Sequence, residues 1–232
     1  MHICFLDIDG TLVLTGGAGQ AAFARTFADD FGIPAIDSEV TFAGRSDRAI
    51  TMDLFRAHDV EPTAENWARF RAGYLSRLGD ALAANQGDVL PGVIELLATL
   101  DARGDVAIGL LTGNLHAGAR CKLTHYDLWH WFPFGGFGDE HLDRCDIAAA
   151  ALAAAHAHLN GHLQSANNGV DIGQVLVIGD TLNDITCGRS INARCIAVPT
   201  GHTTAETLRS GQPDVLVETL CDIGPILAIL DS

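Results

Sequence analysis

The chain has 232 residues, 48% of them hydrophobic and 19% charged, with 29 acidic side chains against 14 Lys and Arg and a formal charge of −15. That is the composition of a globular chain long enough to bury a full core, as one large domain or a domain with a smaller insert, and it excludes a disordered segment. The acidic excess repels phosphate backbones and anionic lipid surfaces, so neither nucleic acid nor membrane is an expected partner.

The start, Met1-His2-Ile3-Cys4-Phe5-Leu6-Asp7, has no basic region before its apolar run, so no secretory signal is read there. The Ala-rich run 147–155 is too short for a membrane span and is flanked by charge. The six cysteines, Cys4, Cys121, Cys145, Cys187, Cys195 and Cys221, form no Cys-x-x-Cys pair, which argues against a zinc or thioredoxin-like site. Cys4 and Cys195 stand in apolar, strand-like runs and read as buried thiols; a reduced, cytoplasmic protein is the expectation.

In chain order, residues 3–8 read as a first strand running straight into Asp7-Ile8-Asp9-Gly10-Thr11. Residues 16–88 contain no convincing β run. Helical patterns over 19–31, 46–58 and 63–82 predict four or so helices, an inserted helical domain. Leu90-Pro91-Gly92 punctuates the return, giving a main domain of residues 1–15 and 89–232 and an insert of 16–88. A helix over 92–102, a strand over 106–111, a weaker one near 134–137 and a helix over 145–158 follow. Residues 160–173 are polar and Asn/Gly-rich and read as a surface loop, and strands over 175–178 and 195–198 close the pattern. Apolar strands separated by amphipathic helices imply an α/β fold with a parallel sheet covered on both faces. Ligands of such sheets bind beyond the carboxyl ends of the strands, where Asp7 and Asp9, Thr112-Gly113-Asn114 and Gly179-Asp180 all fall.

Residues two apart on an extended segment point the same way, so Asp7 and Asp9 can share a face. Paired carboxylates call for a cation between them, and a hard divalent ion such as magnesium takes oxygen ligands. Alone, Asp-x-Asp is equally an acidic turn. Gly179-Asp180-Thr181-Leu182-Asn183-Asp184 places two more carboxylates four apart, able to complete the same oxygen shell; the plainer reading is a helix N-cap at Asp180 or Thr181, and the two are compatible. The Thr112 hydroxyl and the backbone of Gly113-Asn114 form a candidate anion site, Gly10 permits a tight turn, and Arg144 or Lys122 can neutralise a phosphoryl group.

Taken in order, Asp-x-Asp-Gly-Thr, Thr-Gly-Asn, a basic residue and Gly-Asp-Thr-x-x-Asp resemble the haloacid dehalogenase-like superfamily from Asp7 to Asp184, and the helical insert is similar to the cap of its phosphoglycolate phosphatase-like and β-phosphoglucomutase-like branch. The resemblance implies a doubly wound, Rossmann-like core under a helical cap, and a magnesium-dependent phosphatase. It implies Asp7 as nucleophile forming an aspartyl-phosphate and Asp9 as general acid and base. It also implies metal binding by Asp7, Asp9 through its carbonyl, and Asp180 with Asp184 close by, and phosphate binding by Thr112 and Asn114. The family commonly has Lys-Pro at the basic position. Here Arg144-Cys145 stands there, and Arg144 is preferred over Lys122. True dehalogenases lack the second Asp of the first motif, so Asp9 argues against dehalogenation.

Arg45, in Phe42-Ala43-Gly44-Arg45-Ser46-Asp47-Arg48, is the candidate for reaching from the cap to clamp an anionic substrate such as phosphoglycolate, with a sugar phosphate equally open; the plainer reading is a helix start with Ser46 as N-cap. His158 and His162 are four apart, but Asn160-Gly161 between them predicts that the helix has ended, so a solvated surface is read rather than a metal site. Trp129 and Trp131 are expected to pack under the core sheet edge or at an interface. The expected partner is a small phosphorylated metabolite and the expected assembly a monomer or homodimer. A phosphomutase sharing every core residue, or a silent protein keeping the fold, are the alternatives.

Overall fold

The structure is a computed structural model and describes residues 1–162 and 172–232. The main sheet is built from β1 (His2–Leu6), β4 (Val106–Leu111), β5 (Gly135–Gly136), β6 (Val175–Gly179), β7 (Arg194–Ala197) and β8 (Val215–Leu216), in the order β5-β4-β1-β6-β7-β8. All of its pairings are parallel. Alternation along each strand sends side chains to opposite faces. Cys4, Leu6, Ile108, Leu110, Leu176 and Ile178 pack beneath α4 (Val93–Arg103), α5 (His116–His125) and α9 (Gly224–Leu230). Ile3, Phe5, Leu111 and Val177 pack against α6 (Arg144–His162) and α7 (Leu182–Ser190). A short helix, α8 (Ala205–Ser210), lies between β7 and β8. The sheet is therefore covered on both faces, as its nearly continuous apolar strands require.

Between β1 and β4 the chain leaves the sheet through a two-stranded antiparallel ribbon, β2 (Val13–Leu14) with β3 (Asp88–Val89). Neither strand was visible in the pattern, because two residues are too few to show a period. The ribbon carries three helices, α1 (Ala18–Phe31), α2 (Asp47–Ala57) and α3 (Ala64–Ala84), rather than the four or so expected. The chain between Gly32 and Ser46, with Pro34 and Gly44 in it, forms no helix. Phe23, Phe27, Phe55, Phe70 and Tyr74 give the helices an apolar cluster of their own, with edge and tilted ring contacts at 4.7–6.4 Å.

Two further expectations need correction. Helix α6 runs on through Asn160 and Gly161 to His162, so these residues do not end it. The rest of the expected surface loop falls largely on residues 163–171, outside the described ones. Trp129 and Trp131 are half-buried against the main core, as expected.

Phe27 is fully buried at the centre of the cap cluster. Phe27→Ala should lower unfolding stability by about 3–5 kcal/mol, read in a urea titration as a lower midpoint; an unchanged midpoint would show that this ring is not part of a tightly packed core.

Candidate active site

Three strand ends and the cap enclose a cavity of about 500 Å³ lined by Asp7, Asp9, Thr112, Asn114, Lys122, Arg144 and Asp180, among others. Asp7 follows β1 and continues its pairing, donating its N–H to the Ile178 carbonyl at 3.1 Å. The Ile8 carbonyl then accepts from the N–H groups of Thr11, Leu12 and Val13, which turns the chain sharply. Gly10 sits in this turn at φ 86°, and a Cβ there would run into the Asp180 carboxylate and the Gly201 backbone. Glycine is needed both for the conformation and for the close approach of Asp180.

Carboxylate oxygens of Asp7, Asp180 and Asp184 lie within 4.8 Å of one another, and all three residues are buried. Asp184 is the N3 partner of a capping box with Thr181. Its Oδ2 accepts from the Thr181 N–H at 3.0 Å and hydroxyl at 2.6 Å, and its Oδ1 accepts from Arg144 Nη2 at 2.5 Å. The capping and cluster readings of this motif thus coincide. Asp180 accepts from the Thr11 hydroxyl at 3.3 Å. Asp7 Oδ1 is buried without a hydrogen-bond partner, with Arg144 Nη1 3.7 Å away. Burial pushes the Asp7 carboxyl up to about 7; Arg144 opposes the rise, and Asp184 and Asp9 add to it. Burial, then Asp184 and Asp7, push Asp180 up to about 8. Crowded buried carboxylates with an orphaned oxygen are the donor set a hard divalent cation satisfies, so the residues fit a metal site.

The Asp9 carboxylate stands apart from this cluster. It accepts from Lys122 Nζ at 2.8 and 2.6 Å and from Asn114 Nδ2 at 2.8 Å. Asn114 also donates to the Thr112 hydroxyl at 2.9 Å, and its Oδ1 accepts from Lys122 at 2.7 Å. The Asn114 side chain is thereby bound within the protein rather than presented to a ligand. Lys122 and Arg144, the two alternatives for one basic role, are both buried and both at the site, on different carboxylates. Burial disfavours the charge on each, but Asp9 and Asp47 outweigh it for Lys122, and Asp7 and Asp184 outweigh it for Arg144, so both are held above their usual values.

The cap reaches the core through the Gly44–Arg48 segment. Ser46 caps α2, accepting from the Ala49 N–H at 3.1 Å, and its hydroxyl donates to the Leu142 carbonyl at 3.0 Å. Asp47 donates its N–H to the Gly113 carbonyl at 2.8 Å and accepts the Leu115 N–H on Oδ2 at 2.8 Å. Gly113 lies so close beneath the cap that a Cβ would collide with the Arg45 carbonyl. Arg45 lines the cavity, but its guanidinium donates to Asp53 at 2.5 Å and to the Thr41 carbonyl at 3.4 Å. Asp47 stands in the first turn of α2. An acidic first-turn residue is ordinary in any helix, and nothing local shows that it reaches a loop 68 residues away.

The family model for haloacid dehalogenase-like hydrolase matches residues 4–189, and the chain belongs to that family; it is a hydrolase of this fold. It is 27% identical to a phosphoglycolate phosphatase of Synechococcus elongatus over 96% of this chain and 95% of that one. It is 25% identical to the probable phosphatase IndB of Dickeya dadantii, over 95% and 91%. Its fold is that of CbbY from Rhodobacter sphaeroides in complex with phosphate, with a TM-score of 0.72, 18% identity and 96% of each chain covered.

Because Asp7 and Asp180 bind protons more tightly folded than unfolded, their contribution to stability is full below about pH 4 and is lost as pH rises through about 7 to 8. Magnesium should therefore raise the melting temperature more at about pH 8 than at about pH 5, and Asp180→Asn should remove most of that rise. Equal shifts at both pH values in the unsubstituted protein would count against a metal site at these carboxylates.

Proposed function

We propose that the chain is a magnesium-dependent phosphatase that hydrolyses a small phosphate monoester through an aspartyl-phosphate on Asp7. The observation that carries this reading is the Asp7 carboxyl, lining the cavity between a buried acidic cluster and the Arg144 guanidinium. Family membership and the phosphatase names of the curated relatives support it.

Asp7 and Asp180 would hold the magnesium ion, with Asp184 behind them tied to Arg144 and Thr181. Bound there, the ion would supply positive charge to the phosphoryl oxygens and relieve the crowded carboxylates. Asp7 attacks phosphorus and the ester oxygen leaves. Arg144 offsets the charge at Asp7, and Thr112 and Gly113 line the phosphoryl side. Asp9 gives a proton to the leaving oxygen and takes one from the water that opens the acyl phosphate. Lys122 spans both Asp9 oxygens and so sets the carboxylate's orientation. For the acid step Asp9 must exchange one of these contacts for the leaving oxygen. The cap closes the cavity from above and limits water to what hydrolysis needs.

Asp7→Asn should reduce magnesium-dependent phosphate release to below about one-thousandth while the melting curve stays cooperative; retained turnover would remove Asp7 as nucleophile. Arg144→Ala should cost about 10²–10³-fold in kcat, more than Lys122→Ala, with Arg144→Lys recovering part. The reverse order would transfer the neutralising role to Lys122.

A further inference from the structure

The cavity has two unlike walls. The core wall is the polar one described above. The cap side presents Phe42 and Ala43, with Phe23, Ile50 and Tyr74 almost wholly buried in the cap's own core, and β2 adds the exposed Leu14. At about 500 Å³ the cavity far exceeds the needs of a phosphoryl group and a two-carbon acid. The space left for the alcohol portion of an ester lies against aromatic and aliphatic side chains.

The charges lead to the same substrate class. Each Lys and Arg lining the cavity already has a carboxylate: Lys122 has Asp9, Arg144 has Asp7 and Asp184, and Arg45 has Asp53. Asp47 and Asp180 line the cavity as well, and among the described residues the His202 imidazole is its one remaining basic side chain. A second anionic group on the substrate would meet the single His202 imidazole or have to take Arg45 from Asp53. Taking Arg45 exchanges one anionic partner for another with little gain.

Resting on the phosphatase reading above, we infer that the preferred substrate is the phosphate monoester of an uncharged alcohol or phenol with an apolar body the size of an aromatic ring or larger, packed against Phe42 and Leu14, and not a phosphorylated carboxylic acid or a bisphosphate. Ester hydrolysis consumes one water and yields that alcohol and inorganic phosphate. The apolar wall favours the alcohol body and the polar core wall, where the carboxylates would hold the cation, favours the phosphoryl group, so the two ends of the substrate are sorted by one cavity.

The test uses two measurements on the full chain. With magnesium, kcat/KM is measured for methyl, butyl, hexyl and 2-phenylethyl phosphate, with 2-phosphoglycolate and p-nitrophenyl phosphate alongside. The alkyl series holds leaving-group acidity nearly constant, so a trend reports packing. In parallel, Asp7→Asn protein is titrated calorimetrically with the same esters to read binding without turnover.

Both quantities should rise about two- to fourfold per methylene, putting hexyl phosphate at least about thirtyfold above methyl phosphate, with an increasingly negative heat-capacity change on binding. 2-Phosphoglycolate should fall below hexyl phosphate, and Phe42→Ala should lower hexyl phosphate more than methyl phosphate. A flat ladder, or 2-phosphoglycolate ahead of hexyl phosphate, overturns this inference while cleavage of p-nitrophenyl phosphate leaves the phosphatase standing. Failure to cleave any ester removes the phosphatase reading, and the binding ladder on Asp7→Asn then decides the apolar pocket by itself.

Discussion

Three carboxylates forced together out of water are the constraint on which the rest of this structure depends. Asp7, Asp180 and Asp184 come from the ends of two neighbouring strands and the helix after the second, and their oxygens fall within 4.8 Å. Such a group destabilises the fold unless positive charge meets it. Arg144 supplies part of that charge from the first residue of α6, bonding Asp184 and facing Asp7. The remainder is left for a cation. Gly10 belongs to the same constraint, since any side chain there would push Asp180 away.

A second ion pair stands beside the first. Lys122, two turns into α5, reaches back to Asp9 and Asn114, as the N-terminal tilt of helical side chains directs. The site therefore has two buried cations on distinct partners, Lys122 on Asp9 and Arg144 on Asp184 and facing Asp7.

The cap closes over both pairs through backbone as much as through side chains. Asp47 N–H to Gly113, Leu115 N–H to Asp47, Ser46 to Leu142 and Asn183 to the Gly44 carbonyl make a row of bonds across the seam. Directional bonds to main-chain groups fix the height of the cap above the Thr112-Gly113-Asn114 loop. They also bring Phe42 over the space left for a substrate's organic portion.

By itself the sequence determined the sheet class, the inserted helices and the residues at the strand ends. Those signals are local: apolar runs that stop at Asp7, Thr112 and Asp180, and 3.6-residue periods between residues 16 and 88. Punctuation at Leu90-Pro91-Gly92 set the expected return of the insert, while the β2–β3 ribbon was too short to carry a pattern. Only the tertiary structure decided which charge meets which. Arg45, the candidate anion clamp, is held by Asp53; Lys122, the alternative to Arg144 for the basic role, is buried on Asp9; Asn114, the candidate phosphate ligand, is bonded to Asp9, Thr112 and Lys122. Charge pairing depends on distances between residues remote in the chain, 113 positions apart in the case of Lys122 and Asp9. Composition and periodicity hold no record of those distances, because packing sets them.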